Sequence, residues 1–404
     1  MNLLSQGLLS GAVVQTNLSR KLTLDGITQA YPVYKVRLDQ LYYNDQNDRI
    51  STWISEYRSE HGALDVTSRE VFNAVIEGFI VKSNPEAIRK TQANIELVDQ
   101  REPGVVLADG RIIDGNRRYA CLRRLAQKND RFNYFETIIL DRNIESSAKQ
   151  IKMLELSVQH GEESKVDYNP IDRLVGVYND IIDTKLLSAA EYARSANESA
   201  ADVNKRIEIA GLLVEFLEFI NAPLQFHVAR DMQVFSSIEA LAILLKKCRT
   251  SDEAEDVKIS VFTNILMRSE GDMRTYVRSL RRIIGSEYQD GFIEEQKEIA
   301  AKVIEMLPEK VNDRVIRDVV RADDEIVREL GSSLDKVLMK VNKTETRNRP
   351  LQHIEKATDF LESIDLNIMR KLNESDLMRI ERQLKRLDNA VQEIRAELGH
   401  GVNG

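Results

Sequence analysis

Val105-Val106-Leu107-Ala108-Asp109-Gly110-Arg111-Ile112-Ile113-Asp114-Gly115-Asn116-Arg117-Arg118 is the stretch whose reading decides the fold. Two runs rich in β-branched residues flank Asp109-Gly110, a pair suited to a two-residue type I′ hairpin turn because both of its residues tolerate positive φ. Gly115 closes the second strand. From Asn116 onward Ala120, Leu122 and Leu125 recur at helical spacing, with Arg117, Arg118, Arg123 and Arg124 on the flank. A strand, a glycine and a helix start aim backbone N–H groups at one spot, and guanidinium groups beside them can grip a phosphate through paired hydrogen bonds. Asp114, Gly115, Asn116, Arg117 and Arg118 are therefore the candidate nucleotide-binding residues. The same letters also occur where glycine merely relieves a tight corner and the arginines are solvated, so both readings stand at this point.

Upstream, Val33 to Leu38 alternates like a strand, and Asn94 to Val98 and Phe135 to Leu140 read as further strands. Thr67-Ser68-Arg69-Glu70 is a capping box opening an apolar run through Val71, Val75 and Phe79. After about residue 144 strand signals cease. Lys149 to Val158 is helical, punctuated by Gly161, Glu162 and Glu163; Asn169-Pro170-Ile171-Asp172 starts a helix with asparagine as N-cap and proline in the first position. Residues 191–207 fit a helix-turn-helix, with Ala193 at the crossing, Asn197 in the left-handed turn, and Val203 and Ile207 facing inward. Ser199, Asn204, Lys205 and Arg206 are its candidate DNA-binding residues, while Glu198 and Asp202 oppose a phosphate backbone. Arg274, Arg278, Arg281 and Arg282 form a second basic stripe at helical spacing. The expected class is α+β: a small mixed N-terminal domain, then a mostly α-helical region with a helix-turn-helix and a C-terminal helical hairpin or coiled coil.

Asp114-Gly115-Asn116-Arg117-Arg118-Tyr119-Ala120-Cys121-Leu122 resembles the Gly-Glu-Arg-Arg-x-x-Ala box of the ParB chromosome-partition family, with Cys121 in place of the alanine. Glu155-Leu156 and then Tyr168-Asn169-Pro170-Ile171-Asp172 are similar to that family's Glu-Asn-x-x-Arg and Leu-Asn-Pro-Ile-Glu, with a longer spacer. Asn44 to Arg49 is similar to its Asn-Pro-x-x-x-Arg segment. Together the matches cover about residues 33–220. The resemblance implies an N-terminal domain of ParB/sulfiredoxin type that binds a nucleoside triphosphate, CTP by preference, with Mg2+. It also implies DNA as partner, a homodimer, and a place for Glu155 beside the metal. Asn116 departs from the acidic residue of the box, and Leu156 stands where the family has asparagine; a leucine cannot ligate magnesium. An enlarged insertion over residues 50–95 can reshape the pocket.

The function expected from these matches is a ParB-like, nucleotide-binding, DNA-binding protein of partition, regulation or a mobile element. The alternative is an NTPase (CTPase-like), kinase or nuclease of the same fold in a mobile-element or defence system, with Glu155 as catalytic group and metal ligand. Sulfiredoxin chemistry is set aside, because Cys121 falls on the apolar side of the helix and reads as a small buried hydrophobe.

Composition narrows the rest. With 42% hydrophobic and 30% charged residues over 404 positions the chain is an ordinary globular sequence, and its formal net charge of −8 confines any DNA contact to a local basic surface. Cys121 and Cys248 form no metal or disulfide pattern. Ser5, Gln6, Ser10, Gln15 and Asn17 interrupt the N-terminal apolar run, which rules against a signal peptide, and no run reaches membrane length. A cytoplasmic protein without membrane contact is expected. Leu377, Leu384, Val391 and Leu398, with Ile380, Leu387 and Ile394, make an uninterrupted heptad seam. Together with Leu351 to Met369 it either folds back as a hairpin or pairs between chains, and the family's C-terminal dimerisation favours the pair. The expected divisions are a leader (1–30), a nucleotide-binding domain (31–165), a helix-turn-helix domain (166–250), a helical domain (251–345) and the tail (346–404).

Overall fold

The computed structural model describes residues 2–24, 27–141, 144–162, 169–268, 271–309, 311–318, 320–369 and 371–401. Five strands, β1 (Val13–Leu24), β2 (Ile27–Arg37), β3 (Gly104–Leu107), β4 (Ile112–Asp114) and β5 (Tyr134–Leu140), form one sheet in the order β1-β2-β5-β3-β4. Only the β3–β5 pair is parallel. Helices α1 (Ser51–His61), α2 (Arg69–Ser83) and α3 (Pro85–Val98) precede β3, α4 (Asn116–Ala126) follows β4, and α5 (Ile144–Glu162) follows β5. All later elements are helical: α6 (Pro170–Val177), a π-helical turn at Tyr178–Asp183, α7 (Ala189–Ala196), α8 (Ala200–Phe219), α9 (Phe226–Asp231), α10 (Phe235–Leu245), α11 (Ser251–Met267), α12 (Met273–Ser279), α13 (Gln289–Met306), α14 (Asp313–Asp318), α15 (Asp324–Glu362), α16 (Leu366–Met369) and α17 (Glu374–Gly401). This is the α+β plan expected, a mixed sheet followed by a mostly helical region.

The alternation of the strands explains the packing. Val106, Ile112, Phe135 and Ile139 face the layer built by α1 to α4, where Ile54, Phe72, Ile76, Ile88, Tyr119 and Leu122 close the core. Their neighbours Val105, Leu107, Ile113, Ile138 and Leu140 face the opposite way, onto Ile151, Leu154 and Val158 of α5. A strand buried on both faces has to be apolar throughout, which is why β3 reads as a continuous run.

Several sequence expectations need correction. Within the stretch expected as a leader (1–30), Leu3 and Val13 are buried, and β1 pairs along β2 as a long hairpin. The Asp109-Gly110 turn is a three-residue loop over Ala108–Gly110, with Gly110 N–H on the Leu107 carbonyl (3.0 Å) and Leu107 N–H on that of Arg111 (2.8 Å). Only Gly110 takes positive φ (+97°), as in a turn followed by a glycine bulge. Residues 94–98 are the end of α3, not a strand. Asn84 accepts from Ala87 N–H and Pro85 occupies the first position, so the helix is already running; Leu97, which a strand would bury beside Ile95, is 82% exposed. The cap of α2 is Ser68 and not Thr67, which shifts the buried face to Phe72, Ile76, Phe79 and Ile80. Gly161 does not end α5, while Glu163 and Tyr168 lie outside the described residues.

Two compact units divide the chain, 1–338 and 339–404, so the expected boundaries at 165 and 250 fall inside the first. In the second unit the helix expected over 351–369 stops at Glu362, and the heptad positions Leu377, Leu384, Val391, Ile394 and Leu398 of α17 are 38–64% exposed. No helix among the described residues is long and apolar enough to cross a membrane.

Candidate functional site

The strand-to-helix corner at Gly115 faces a cavity. Gly115 takes φ +100°, ψ 16°, and α4 begins after it with no side-chain cap; the first N–H to enter the helical ladder is that of Tyr119, on the Gly115 carbonyl (2.9 Å). The amides of residues 116–118 therefore have no acceptor within the helix. The cavity has a volume of about 210 Å³. Asp114, Gly115, Asn116, Arg117 and Arg118 form one side of it, Asn47, Arg49 and Ile50 a second, and Ile80, Ser83, Asn84 and Thr91 of α2 and α3 a third. The insertion is thus a wall of the pocket.

Its electrostatics are mixed. Arg118 Nη2 pairs with Asp114 Oδ2 at 2.9 Å, and Arg20 Nη1 reaches the same oxygen at 3.4 Å while also donating to the Pro103 carbonyl. Arg118 is thereby held flat across the corner, yet its Nε is buried with no hydrogen-bond partner. Asn116, 9% exposed, likewise has an Oδ1 with no partner. Buried polar atoms without partners are uncommon and costly, at roughly 1–3 kcal/mol each, so a ligand that satisfies them gains that much. Arg49, Arg117 and Arg118 line the cavity together with one carboxylate, that of Asp114.

Arg123 of the same flank does other work. Arg123 Nε binds Glu77 Oε2 at 2.7 Å in the helical layer. Cys121 is fully buried, and burial pushes its thiol up to about 11, as befits a packing residue.

Glu155 lies apart from the cavity lining. It is 2% exposed, accepts from Asn44 Nδ2 at 3.4 Å, and sits 3.7 Å from Lys152 Nζ. The same ammonium meets Asp48 Oδ1 at 2.9 Å and Asp180 Oδ2 at 3.4 Å. Burial alone would lower the Lys152 pKa, but these carboxylates overturn it and hold the group well above its ordinary value. Burial pushes Asp180 up to about 7, against the pull of Lys152. This ion cluster ties the 44–49 segment, hence Asn47 and Arg49 of the cavity, to α5 and to the turn after α6. Sequence reasoning missed it because only the Lys152 and Glu155 pair is local.

Asp172 of α6 lies beside that cluster, accepting from Thr52 N–H at 2.9 Å, and burial pushes its carboxyl from 3.8 up to about 7. The folded chain holds a proton that the unfolded chain releases. Its contribution to stability is therefore complete below the ordinary carboxylate range and disappears as pH rises towards 7. Asp172→Asn is expected to match wild type near pH 4 and to exceed it near pH 8 by up to roughly 4 kcal/mol. Urea unfolding at both pH values checks this, and a variant weaker than wild type at the higher pH would contradict it.

The residues expected to read DNA are placed as follows. Asn197 is left-handed between α7 and α8, and Ser199 caps α8 by accepting from Asp202 N–H at 3.1 Å. Asn204 is exposed. Lys205 Nζ is engaged by Glu239 of α10 at 2.7 Å, and Arg206, whose side chain is 14% exposed, pairs with Glu198. Each cation thus faces a carboxylate of the same chain, and Arg206 Nη1 is buried without a hydrogen-bond partner.

A magnesium ion does not fit a protein-built site here. Asp114, the one carboxylate lining the cavity, is taken by two guanidinium groups, and no cluster of three His, Cys, Asp or Glu side chains that could hold a metal occurs among the described residues.

No protein-family model matches the chain, and no curated protein matches it. Among solved structures it is similar to one described as a Pnob8-like ParB-N domain, with a TM-score of 0.37 and 14% identity, over 66% of this chain and 97% of that one.

Proposed function

We propose that this chain is a nucleotide-binding protein of ParB type that holds the phosphates of a nucleoside triphosphate at Gly115 to Arg118 and acts on DNA as a homodimer. One observation carries the reading: a cavity at the N-terminus of α4 is lined by Asn116 and Arg118, whose buried Oδ1 and Nε have no hydrogen-bond partner within the protein. Phosphate oxygens suit the Arg118 Nε and the backbone amides at the start of α4, and a hydroxyl or amino group suits Asn116 Oδ1. The enclosed volume is below the roughly 300–1,000 Å³ of sites that engulf a drug-sized ligand, and so suits a phosphorylated fragment better than a whole buried nucleotide. CTP is the first candidate by the resemblance of the arginine box, and the exposed heptad seam of α17 supports pairing of two chains.

Binding without turnover at Glu155 is favoured over the hydrolase or nuclease alternative, since that carboxylate is committed to Asn44 and Lys152. Calorimetric titration of CTP, ATP, GTP and pyrophosphate, with and without magnesium, tests the reading. Wild type is expected to bind, and Arg117→Ala to weaken binding by roughly 10- to 100-fold through loss of charge-assisted hydrogen bonds worth about 1.5–3 kcal/mol. Absence of binding to every one of these anions would remove the proposal. Magnesium-dependent turnover that Glu155→Gln abolishes would instead favour the enzyme.

A further inference from the structure

We propose that the basic face formed by Lys247, Arg278 and Arg281 seats the phosphate backbone of duplex DNA beside α8, an inference that rests on the DNA-binding reading above. The argument begins with what α8 lacks. Lys205 is neutralised by Glu239, Arg206 by Glu198, and Lys246 of the neighbouring helix end lies 3.3 Å from Glu208 of α8. A helix whose two cations each face a carboxylate of the same chain gains little from the electrostatic attraction that dominates affinity for nucleic acid, so the attraction must come from an adjoining surface.

That surface exists. α8 packs on α10 and α10 on α12. In α12 and the turn after it the residues divide cleanly: Tyr276, Val277, Leu280 and Ile283 are buried, while Arg274, Arg278, Arg281 and Arg282 are exposed. Lys247, just past α10, donates from Nζ to the Arg281 carbonyl at 2.7 Å, which joins the two elements into one patch. Arg278, Arg281 and Lys247 form no ion pair among the described residues, whereas Asp272 stands near Arg274. On a chain whose net charge is −8, unpaired cations gathered on one face mark where a polyanion is tolerated. Positions four and three apart on a helical face have their Cβ atoms about 5–6 Å apart, and arginine side chains from such positions can reach successive phosphates on a strand. A membrane surface suits the patch less well, because the apolar side of α12 is already buried in the protein and only charge attraction to anionic headgroups is left.

The experiment measures the affinity of the full-length chain for a labelled random-sequence duplex by fluorescence anisotropy across a salt series. Three proteins are compared: wild type, the triple variant Lys247→Ala, Arg278→Ala, Arg281→Ala, and a control with the same loss of charge, Lys297→Ala, Lys302→Ala, Lys336→Ala. For the patch variant the slope of log affinity against log salt should become shallower by about 2–3, at 0.9 per phosphate contact, with the control at the wild-type slope. Thermal unfolding of the variant should match wild type, since the three side chains are exposed. Wild-type binding with the same slope in the patch variant overturns this inference and leaves the DNA-binding reading intact. If wild type fails to bind even at low salt, the DNA-binding reading falls and the inference with it. Co-sedimentation of wild type with phosphatidylserine vesicles, lost in the patch variant, with no change in DNA binding, would reassign the face to a lipid surface and also overturn it.

Discussion

Lys152→Met will cost the folded chain about 3–5 kcal/mol, because it removes from a buried site the ammonium that meets three carboxylates and leaves those carboxylates in place. Lys152 is 5% exposed, and its ammonium lies 2.9 Å from Asp48, 3.4 Å from Asp180 and 3.7 Å from Glu155. Asp48 is also wedged against Gly176 of α6, where an added Cβ would stand 2.6 Å from its Oδ2, so the carboxylate has no room to turn towards water. Without Lys152 these groups must take up protons or drive the structure open. The deficit should consequently shrink as the pH is lowered and the carboxylates are neutralised. Burial has already raised Asp180 to about 7, so its own contribution is present in acid and lost as pH rises to that value, the same direction. In wild type the Lys152 pKa is held above 10.5, so its contribution persists until strongly alkaline pH. Adding Asp48→Asn and Glu155→Gln to Lys152→Met should recover most of the loss. Urea midpoints for the single and triple variants decide the matter; an unchanged midpoint in the single variant would mean the cluster does not form.

Gly115→Val is expected to remove anion binding and to destabilise the chain by roughly 2–5 kcal/mol, from a strained backbone and an overfilled core together. At φ +100° a side chain is unfavourable in any surroundings. Here a Cβ would also lie 2.7 Å from Phe135 Cζ and 3.3 Å from Arg118 Nη2. Phe135 cannot retreat: it is fully buried and already packed against Gly104, where a Cβ would stand 2.4 Å from the same Cζ. Whatever shift relieves the clash must displace the start of α4, and with it the amides and guanidinium groups facing the cavity. Gly78→Ala is the matched control, since its added methyl meets nothing within 4 Å in the interior of α2; it should gain up to about 1 kcal/mol of stability. Equal behaviour of the two glycine variants in thermal unfolding would show that the corner is not strained as described.

Much of the local structure was legible in the sequence. Gly115 as the hinge between strand and helix, Asn169-Pro170 as a helix start, Asn197 as a left-handed turn and Ser199 as a cap are each dictated by the steric and hydrogen-bonding habits of a few consecutive residues. Short-range signals failed where two readings were locally equivalent. Residues 94–98 alternate like a strand, yet the cap at Asn84 had already committed them to α3.

The sequence by itself determined the strand, glycine and helix corner, the α+β order of elements and the identity of the arginines at its centre, because backbone preferences and apolar periodicity act over a few residues. Tertiary structure alone decided the distant contacts: Arg20 joins Arg118 on Asp114, Arg123 turns to Glu77, and Arg49 arrives from a segment more than sixty residues away. It also decided that Ser83, Asn84 and Thr91 wall the cavity and that Asp48 and Asp180 close on the local pair of Lys152 and Glu155. The physical reason is that ion pairs and cavities depend on which elements the core brings within a few ångströms, and that choice is made by burial summed over the whole sheet and its helical layer, not by the residues that end up touching.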